Sequence, residues 1–268
     1  MLAKRALSAV VILLIAGFLI FFGSWTYAFG AAIILSMATW EFNNMFTQGG
    51  HQPNALLLAF ITLGLIILRN FRDPYFFSFG LILTFIIICV RNIWTYKEKT
   101  DNAAIDLVIE LSSIVFVIIP GSYLINLRAM QHGLFWILLC VLAASLADVS
   151  AYLFGSAFGR HKLSPKISPN KTIEGYISGI FAAGLAGLAM GLFYPMDRPD
   201  VSILMLVLFT GIVAIVTPLG DLAKSIIKRS FSLKDTGNLI PGHGGMLDRL
   251  DTILWAAPIL FFLIHFLA

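Results

Sequence analysis

The 268-residue chain is 59% hydrophobic and only 12% charged, and its 18 Lys and Arg residues outnumber its 14 Asp and Glu residues. Soluble domains contain roughly 45–50% apolar residues, so this composition excludes an ordinary soluble protein. Apolar runs long enough to cross about 30 Å of hydrocarbon recur along the whole chain and leave no stretch for a soluble domain. We therefore expect a single all-α transmembrane domain, residues 1–268, and no nucleic-acid partner.

The apolar runs predict about nine transmembrane helices. The first run follows Lys4 and Arg5 and at first sight resembles a signal peptide. Its apolar part is too long for a cleaved hydrophobic region and another run follows at once, so we interpret it as a retained helix. The predicted spans are residues 6–22, 26–46, 54–70, 75–95, 104–127, 132–153, 174–194, 201–220 and 250–267.

The basic residues predict the orientation of these spans. With the N-terminus in the cytoplasm, 14 of the 18 Lys and Arg residues lie on the cytoplasmic side, the side that basic loops prefer. With nine spans this gives an N-in, C-out topology. It also places two polar loops, 154–173 and 221–249, on the face where nucleotides are found.

The first polar stretch begins inside the sixth predicted span. Asp148 is an ionisable residue within an apolar run, which makes it a functional candidate. Tyr152 and Gly155 follow on the same helical face, where a small residue allows a helix or a substrate chain to come close. Downstream, Ser168 and Pro169 fit a helix N-cap and first position, whose free N–H groups suit a phosphate. Alternatively, the pair only starts the seventh span and the neighbouring lysines contact lipid headgroups.

The second polar stretch, residues 221–251, contains nine of the chain's 32 charged residues. Just before it, Pro218 and Gly220 predict a break in the eighth span, which would free backbone carbonyls for cations. Several glycines follow in the connection 236–245, where they let the backbone approach a ligand closely. His243 lies among these glycines and, taken alone, is equally consistent with a solvated turn residue.

Three aspartates in this stretch suggest a metal site. Asp248 and Asp251 are three residues apart at the start of the last predicted helix, so both carboxylates lie on one face. One acid there would be explained by the helix dipole. Two acids, with Asp221 across the glycine-rich connection, favour Mg²⁺ held against phosphate oxygens. Ser-His-Asp, paired CxxC and HExxH patterns are absent, which leaves hydrolase and zinc-site interpretations without support.

These residues resemble the signature of the phosphatidate cytidylyltransferases, also called CDP-diacylglycerol synthases. The resemblance is specific over residues 148–251, whereas the first hundred residues match only as hydrophobic spans. The downstream block consists of Ser225, Lys228, Arg229, Lys234, Asp235, Gly237, Ile240, Pro241, His243, Gly244, Gly245, Asp248, Arg249 and Asp251. The upstream block contains Asp148, Tyr152, Gly155, Gly159, Lys162, Pro165, Ser168, Pro169, Lys171, Thr172, Glu174 and Gly175.

The resemblance implies that CTP and phosphatidic acid react to give CDP-diacylglycerol and pyrophosphate, with Mg²⁺ and room for a second cation. It also implies a homodimer in a bacterial inner membrane, surrounded by membrane lipid, with the active site facing the cytoplasm. The phosphate monoester of phosphatidic acid has a second pKa near neutrality, so its oxygen is already a nucleophile and needs no strong general base.

From this combination we assign expected roles. The metal ligands are Asp221, Asp248 and Asp251. Catalytic candidates are Asp148, Lys171, Lys228, Arg229, Lys234, Asp235, His243 and Arg249. Candidates for nucleotide or cofactor binding are Tyr152, Ser168, Glu174, Lys224, Ser225, Gly244 and Gly245.

Three further acids lie in apolar runs outside these blocks. Asp106 and Glu110 are four residues apart and within reach of Arg91, which favours a structural ion pair or a contact with lipid headgroups over a catalytic role. Glu41 is interpreted as a membrane-interface residue near the route by which lipid enters.

Two other functions stay open at this stage. The CDP-alcohol phosphotransferases also cluster aspartates in the membrane, but residues 221–251 do not have their Asp-Gly, Ala-Arg, Gly and Asp spacing. An ion or anion transporter would use Asp148 and the break at Pro218. Such a protein would not need the glycine-rich connection, and the chain shows no internal repeat of the kind that many transporters contain.

Overall fold

A computed structural model describes residues 2–71, 73–96, 102–196, 198–240 and 244–267, with side chains from residue 10 onward in these ranges. The described chain is almost entirely helical. Its helices are α1 (Leu2–Phe22), α2 (Ser24–Asn44), α3 (Ala55–Arg69), α4 (Pro74–Thr95), α5 (Ala103–Ser113), α6 (Ile119–Ala129), α7 (Gly133–Phe158), α8 (Ile173–Phe193), α9 (Ile203–Ser230) and α10 (Leu247–Leu267).

Two short irregular helical turns complete this pattern. A 3-10 turn, Met45–Gly49, continues α2. A π-helical turn, Ile114–Ile118, joins α5 to α6, and Pro120 follows it. Proline has no N–H to donate, so a change in the helical hydrogen-bond pattern near it is expected. Together α5, the π turn and α6 form one apolar stretch, Ala103–Ala129, which matches the predicted span 104–127.

Six helical stretches in the described ranges are long and apolar enough to cross a membrane. A further apolar helix, Ala55–Arg69, is shorter. This confirms the all-α, integral-membrane class, while the count of nine spans and the N-in, C-out orientation stay predictions. The six stretches are Pro74–Thr95, Ala103–Ala129, Gly133–Phe158, Ile173–Phe193, Ile203–Ser230 and Leu247–Leu267.

The chain divides into two compact units. Unit 1 comprises Met1–Asn126 and Ser230–Leu250, and unit 2 comprises Leu127–Arg229 and Asp251–Ala268. In unit 1, α2 packs against α3, and α3 packs against α4; in unit 2, α7 packs along α8. The polar segment 230–250 is therefore part of the same unit as the N-terminal helices, which are distant from it in sequence. This division does not test the prediction of one transmembrane domain.

The loop between α7 and α8 forms a small β-hairpin in unit 2. Its strands, β1 (Lys162–Ser164) and β2 (Ser168–Thr172), are antiparallel. The prediction that Ser168 and Pro169 start the next helix is wrong, because both lie in β2 and α8 begins at Ile173. Thr172 is the N-cap instead, and its Oγ1 accepts a hydrogen bond from Gly175 N–H at 3.2 Å. A side-chain oxygen at this position satisfies an N–H that the helix leaves unpaired.

The predicted break at Pro218 is also wrong. Helix α9 runs without interruption from Ile203 to Ser230, with Pro218 inside it. At Gly220 an added Cβ would lie only 2.1 Å from Cδ1 of Trp255, on α10 in the same unit. The glycine therefore serves close packing rather than chain flexibility. The proline removes one hydrogen-bond donor, which the packing of the surrounding turns tolerates.

Candidate active site

Five charged side chains from four elements meet in unit 2, and we call them the acid–lysine cluster: Asp148 of α7, Lys171 of β2, Asp221 and Lys224 of α9, and Asp251 of α10. Lys171 Nζ lies 2.6 Å from Asp221 Oδ2, and Lys224 Nζ lies 3.4 Å from Asp221 Oδ1. Lys224 also pairs with Asp251. The structure thus brings residues of the two predicted stretches into direct contact.

Asp148 belongs to the same cluster through a neighbouring hydroxyl. Its Oδ2 accepts a hydrogen bond from Thr252 Oγ1 at 2.9 Å, and Thr252 follows Asp251 directly. Asp148 is also close enough to interact electrostatically with Lys171 and Lys224. It is exposed on the surface of the chain, whereas Thr252 is buried. The candidate role predicted from its position in an apolar run is therefore consistent with its surroundings.

Glycines bring the backbones of α7 and α8 close together beside the cluster. A Cβ on Gly175 would lie 2.5 Å from Ala151 O and 3.0 Å from Gly155 Cα. A Cβ on Gly155 would lie 2.9 Å from Thr172 Oγ1. This contact confirms that Gly155 allows a neighbouring helix to approach, and it places the end of β2, with Lys171, against α7.

Lys224 is the most deeply buried charge of the cluster, with 4% of the residue exposed. A buried ammonium group requires nearby counter-charges, which Asp221 and Asp251 provide. The Asp221 and Asp251 carboxylates also lie close enough to interact with each other. Three carboxylates and two ammonium groups leave the cluster with one net negative charge when all five are ionised.

The cluster has the chemistry of a divalent-cation site, although Lys224 lies between its acids in this conformation. Carboxylate oxygens are the ligands that Mg²⁺ prefers, and two carboxylates in contact with each other are stabilised by a cation between them. Within the described residues, no three His, Cys, Asp or Glu side chains are arranged so that they could hold a metal ion directly. The carboxylates of Asp221 and Asp251 are of the type that Mg²⁺ prefers, but both are paired with Lys224.

In unit 1, the segment between α9 and α10 is held by Asp248. Asp248 Oδ2 accepts hydrogen bonds from Thr236 N–H at 2.8 Å, from Thr236 Oγ1 at 3.0 Å and from Gly245 N–H at 3.4 Å. Gly244 has a φ of +82°, a conformation that favours glycine. Ile240 N–H donates to Gly244 O at 3.0 Å. The described residues of this segment, 231–240 and 244–246, lead into α10, and we call them the signature loop.

Glu41 of α2 is the residue at this site that the sequence analysis did not place. It was expected at the membrane interface, but its side chain is completely buried against the signature loop. Glu41 Oε2 accepts hydrogen bonds from Leu247 N–H at 2.9 Å and from Thr236 Oγ1 at 3.3 Å. The acid within an apolar run was the only signal in the sequence, and it did not identify the partner.

Aromatic contacts hold the beginning of the signature loop. The Phe231 ring lies 5.3 Å from the Phe46 ring and 6.3 Å from the His51 ring, centroid to centroid. A Cβ on Gly49 would lie 2.2 Å from Phe231 Cε1, so the ring packs directly on the backbone of the 3-10 turn. The N-terminal helices therefore bind both ends of the loop.

Asp106 and Glu110 support this region from α5. Glu110 pairs with Arg91, which confirms the predicted ion pair. Glu110 also accepts hydrogen bonds from Asn92 Nδ2 and from Asn54 N–H, each at 2.7 Å. Asp106 accepts one from the N–H of Gln52 at 3.0 Å. The two acids thus anchor the chain that connects the 3-10 turn to α3.

A polar cavity of about 620 Å³ lies in unit 1 between the end of α2 and the signature loop. This volume is within the range of small-molecule sites, roughly 300–1,000 Å³. Glu41, Thr236 and Gly237 contribute to its wall. Further polar or aromatic lining residues are Trp40, Asn44, Gln48, Lys234, Asp235 and Asn238.

The other predicted site residues are distributed over both units, and their contacts to substrate stay predictions. Arg229 Nε donates to Ile167 O at 3.3 Å, and the Glu174 carboxylate lies 2.6 Å from His161 Nδ1. Ser225 is buried and Lys228 is half-buried on α9, whereas Tyr152, Lys234, Asp235 and Arg249 are exposed. Ser168 lies on β2, Gly244 and Gly245 lie in the signature loop, and His243 lies outside the described residues.

Comparison with known proteins connects this geometry to a family. A model described as the cytidylyltransferase family matches residues 3–267. The phosphatidate cytidylyltransferase of Staphylococcus saprophyticus is 38% identical over 167 residues, which are 62% of each chain. That of Staphylococcus epidermidis is 39% identical over 182 residues, 68% of this chain and 66% of the relative. That of Staphylococcus aureus is 41% identical over 167 residues, 62% of each. The chain thus aligns with slightly less than two thirds of the length of these relatives.

Proposed function

We propose, from the premise that the chain belongs to the cytidylyltransferase family, that it transfers the cytidylyl group of CTP to phosphatidic acid. The family membership confirms the resemblance found in the sequence. The observation that carries the proposal further is the acid–lysine cluster. Three carboxylates and Lys224 lie there on helices apolar enough to cross a membrane, and they meet Lys171 of β2. Such a cluster combines groups for cation binding and for phosphate binding next to lipid.

In the proposed reaction, a phosphate oxygen of phosphatidic acid attacks the α-phosphorus of CTP. A new P–O bond forms, the bond from the α-phosphorus to the bridging oxygen of the β-phosphate breaks, and that oxygen leaves with the electron pair as part of pyrophosphate. Catalysis of such transfers consists largely of positioning and charge neutralisation. The side chains of Lys171 and Lys224 supply positive charge, and they exchange their aspartate partners for phosphate oxygens when substrates bind.

A bound Mg²⁺ would neutralise phosphate charge and orient the CTP phosphates. Asp221 and Asp251 are the acids that the cluster of unit 2 offers for holding it. Asp248, in unit 1, stays a metal ligand predicted from the sequence alone. Asp148 orients Thr252 and adds negative charge beside this pair. Displacement of Lys224 by the ion would free its ammonium group for a phosphate.

The polar cavity of unit 1 offers groups of the kind that bind a nucleotide. Its amide side chains, Asn44, Gln48 and Asn238, offer both donors and acceptors, as the cytosine edge requires. The indole of Trp40 supplies a surface for packing against a base. Lys234, on the same wall, supplies positive charge for the triphosphate.

The location of the protein is part of the same proposal. We place it in a bacterial inner membrane as a homodimer with nine transmembrane helices, N-in and C-out, and with its active site facing the cytoplasm. The positions of Lys and Arg support the orientation. The bacterial relatives and the six long apolar helices support the membrane.

The test is an assay of the full-length protein in detergent with radiolabelled CTP, phosphatidic acid and Mg²⁺. We expect labelled CDP-diacylglycerol and an equal amount of pyrophosphate. In the variant Asp251→Asn both products should fall by about 10²-fold or more, because an ionised partner of a phosphate-transfer site is lost. Asp200→Asn is the matched control, since Asp200 is an exposed acid in the connection between α8 and α9.

Absence of both products from the folded wild-type protein would reject the proposed reaction. Ion flux through proteoliposomes would then test the transporter alternative. That alternative is weakened by the structure, because the helix break at Pro218 on which it relied is absent from α9.

A further inference from the structure

We infer that Glu41 is a positioning residue for this reaction: its buried carboxylate holds the signature loop in the shape that orients Asp248. The inference rests on the proposed function in one respect, the role of Asp248 in binding Mg²⁺. The contacts of Glu41 themselves lie within unit 1 and do not depend on that function. Glu41 is placed on α2, in a part of the chain that carries none of the signature residues.

The first contact of Glu41 fixes the start of α10. The N–H of Leu247, the first residue of this helix, donates to Glu41 Oε2 at 2.9 Å. The first N–H groups of a helix have no partner within the helix, and its positive end attracts an anion. Glu41 therefore provides, from a distance of 206 residues in sequence, the function that a helix normally obtains from its own N-cap.

The second contact links Glu41 to Asp248 through one hydroxyl. Thr236 Oγ1 lies 3.3 Å from Glu41 Oε2 and 3.0 Å from Asp248 Oδ2. A hydroxyl has a single proton, so Thr236 can donate to only one of the two carboxylates at a time. The charge of Glu41 therefore affects how strongly Thr236 binds Asp248.

The third contact is the space that Glu41 occupies next to two glycines of the loop. A Cβ on Gly237 would lie 2.5 Å from Glu41 Oε1, and its three nearest atoms all belong to Glu41. A Cβ on Gly245 would lie 2.2 Å from Thr236 Oγ1 and 2.5 Å from Glu41 Oε2. These two glycines of the signature are thus needed because the loop packs directly on the Glu41 carboxyl group.

The buried position of Glu41 lowers the stability of the folded protein, which argues against a role in stability alone. Glu41 Oε1 is buried and has no hydrogen-bond partner among the residues that the structure describes. An unsatisfied buried polar atom, especially on a charged group, destabilises the folded state. Glutamine has the same shape without the charge, and it would fold at least as well if filling space were the only role. A charged carboxylate is a stronger acceptor than an amide, and Glu41 holds two donors, Leu247 N–H and Thr236 Oγ1.

The decisive variant is Glu41→Gln in the full-length protein, with Glu110→Gln as matched control. Glu110 is an equally buried acid of unit 1, but its bonds go to Asn54, Arg91 and Asn92. We expect Glu41→Gln to raise the Mg²⁺ concentration for half-maximal activity by about tenfold, the usual size of an effect that acts through the partner of a metal ligand. Glu110→Gln should change this concentration by less than about twofold while lowering the thermal stability.

A readout independent of activity is trypsin cleavage after the exposed Lys234 in the signature loop. Cleavage, followed by mass spectrometry of the fragments, should be several times faster in Glu41→Gln than in the wild type or Glu110→Gln. Equal cleavage in all three proteins overturns the inference, whatever the activity. If the wild type makes no CDP-diacylglycerol, the proposed function fails, and the cleavage comparison still decides the role of Glu41.

A second set of variants serves if Glu41→Gln fails to fold. Gly237→Ala should reduce activity because its Cβ meets the Glu41 side chain, whereas Gly64→Ala, where nothing lies within 4 Å of the added Cβ, should not. Combining Gly237→Ala with Glu41→Ala removes the clash, so the double variant should lose no more activity than Glu41→Ala alone. Losses that multiply in the double variant overturn the inference, since residues in direct contact are expected to be non-additive.

Discussion

The two polar regions of the molecule use their acids differently. In the acid–lysine cluster of unit 2, Asp221 and Asp251 pair with the ammonium groups of Lys171 and Lys224. In unit 1, Glu41 and Asp248 accept hydrogen bonds from backbone N–H groups and from Thr236. Ion pairs can exchange one partner for a phosphate or a cation, whereas bonds to the backbone define the shape of a loop. We therefore expect ligand exchange in unit 2 and a fixed loop geometry in unit 1.

The largest effect is expected for Lys224→Met, which breaks the cluster in unit 2. The substitution leaves Asp221 and Asp251 facing each other without their shared cation, and removal of one partner of a buried pair costs about 3 kcal/mol or more. Thermal unfolding in detergent should show a clear loss of stability, and CDP-diacylglycerol synthesis should fall by at least about 10²-fold.

The double variant Lys224→Met/Asp251→Asn tests whether the loss of stability comes from the unpaired carboxylates. The double variant has one buried negative charge fewer, so it should recover part of the stability but none of the activity. An unchanged unfolding temperature in Lys224→Met would contradict the assignment of Lys224 as the buried centre of the cluster.

The next effect concerns Asp248 in unit 1. In Asp248→Asn the amide oxygen can still accept from Thr236 N–H, so the protein should fold, with a modest fall in the unfolding temperature because the charged acceptor is lost. If Asp248 binds Mg²⁺, activity should nevertheless fall by about 10²-fold and the Mg²⁺ requirement should rise. Activity near that of wild type in purified, folded protein would remove Asp248 from the metal site and leave it with loop geometry alone.

A smaller effect is expected from Gly220→Ala, which tests the packing that aligns the cluster. Its Cβ would meet the Trp255 ring, and overpacking of this kind costs roughly 1–3 kcal/mol. Gly211→Ala on the same helix has nothing within 4 Å of its Cβ and should be neutral or stabilising by up to about 1 kcal/mol. Equal unfolding temperatures for both variants would show that Gly220 is not packed closely in the membrane.

The smallest effect is expected at the N-cap of α8. There a side-chain oxygen accepts a hydrogen bond from a backbone N–H, as the acids of unit 1 do. Thr172→Ala removes the acceptor for Gly175 N–H and should cost about 1 kcal/mol of unfolding free energy, and Thr172→Ser should recover most of it. Ser168→Ala, at the position that the sequence favoured as the cap, should change the unfolding free energy by less than about 0.5 kcal/mol. Reversed effects of the two alanine variants would contradict the observed start of α8.

Much of the candidate site was predictable because its signals are local. Asp148, Lys171, Asp221 and Asp251 stand out as charged residues inside or beside apolar runs, and the structure brings them together as the two predicted stretches required. The role of Gly155 was predictable for the same reason, since a small residue on a helical face permits close approach. The start of α8 was missed because Ser-Pro and Thr are both acceptable beginnings of a helix, and only the pairing of β1 with β2 decides between them.

Composition and apolar periodicity determined the helical membrane class, and the order of polar residues determined the family, because both are properties of neighbouring positions in the chain. The tertiary structure decided three other matters. Packing of Trp255 on Gly220 accompanies an α9 that is continuous past Pro218. Lys224, expected at a phosphate, is buried between two acids. Glu41 supports a loop 195 residues away. These depend on contacts between distant segments, and such contacts leave no periodic pattern in the sequence from which they could be inferred.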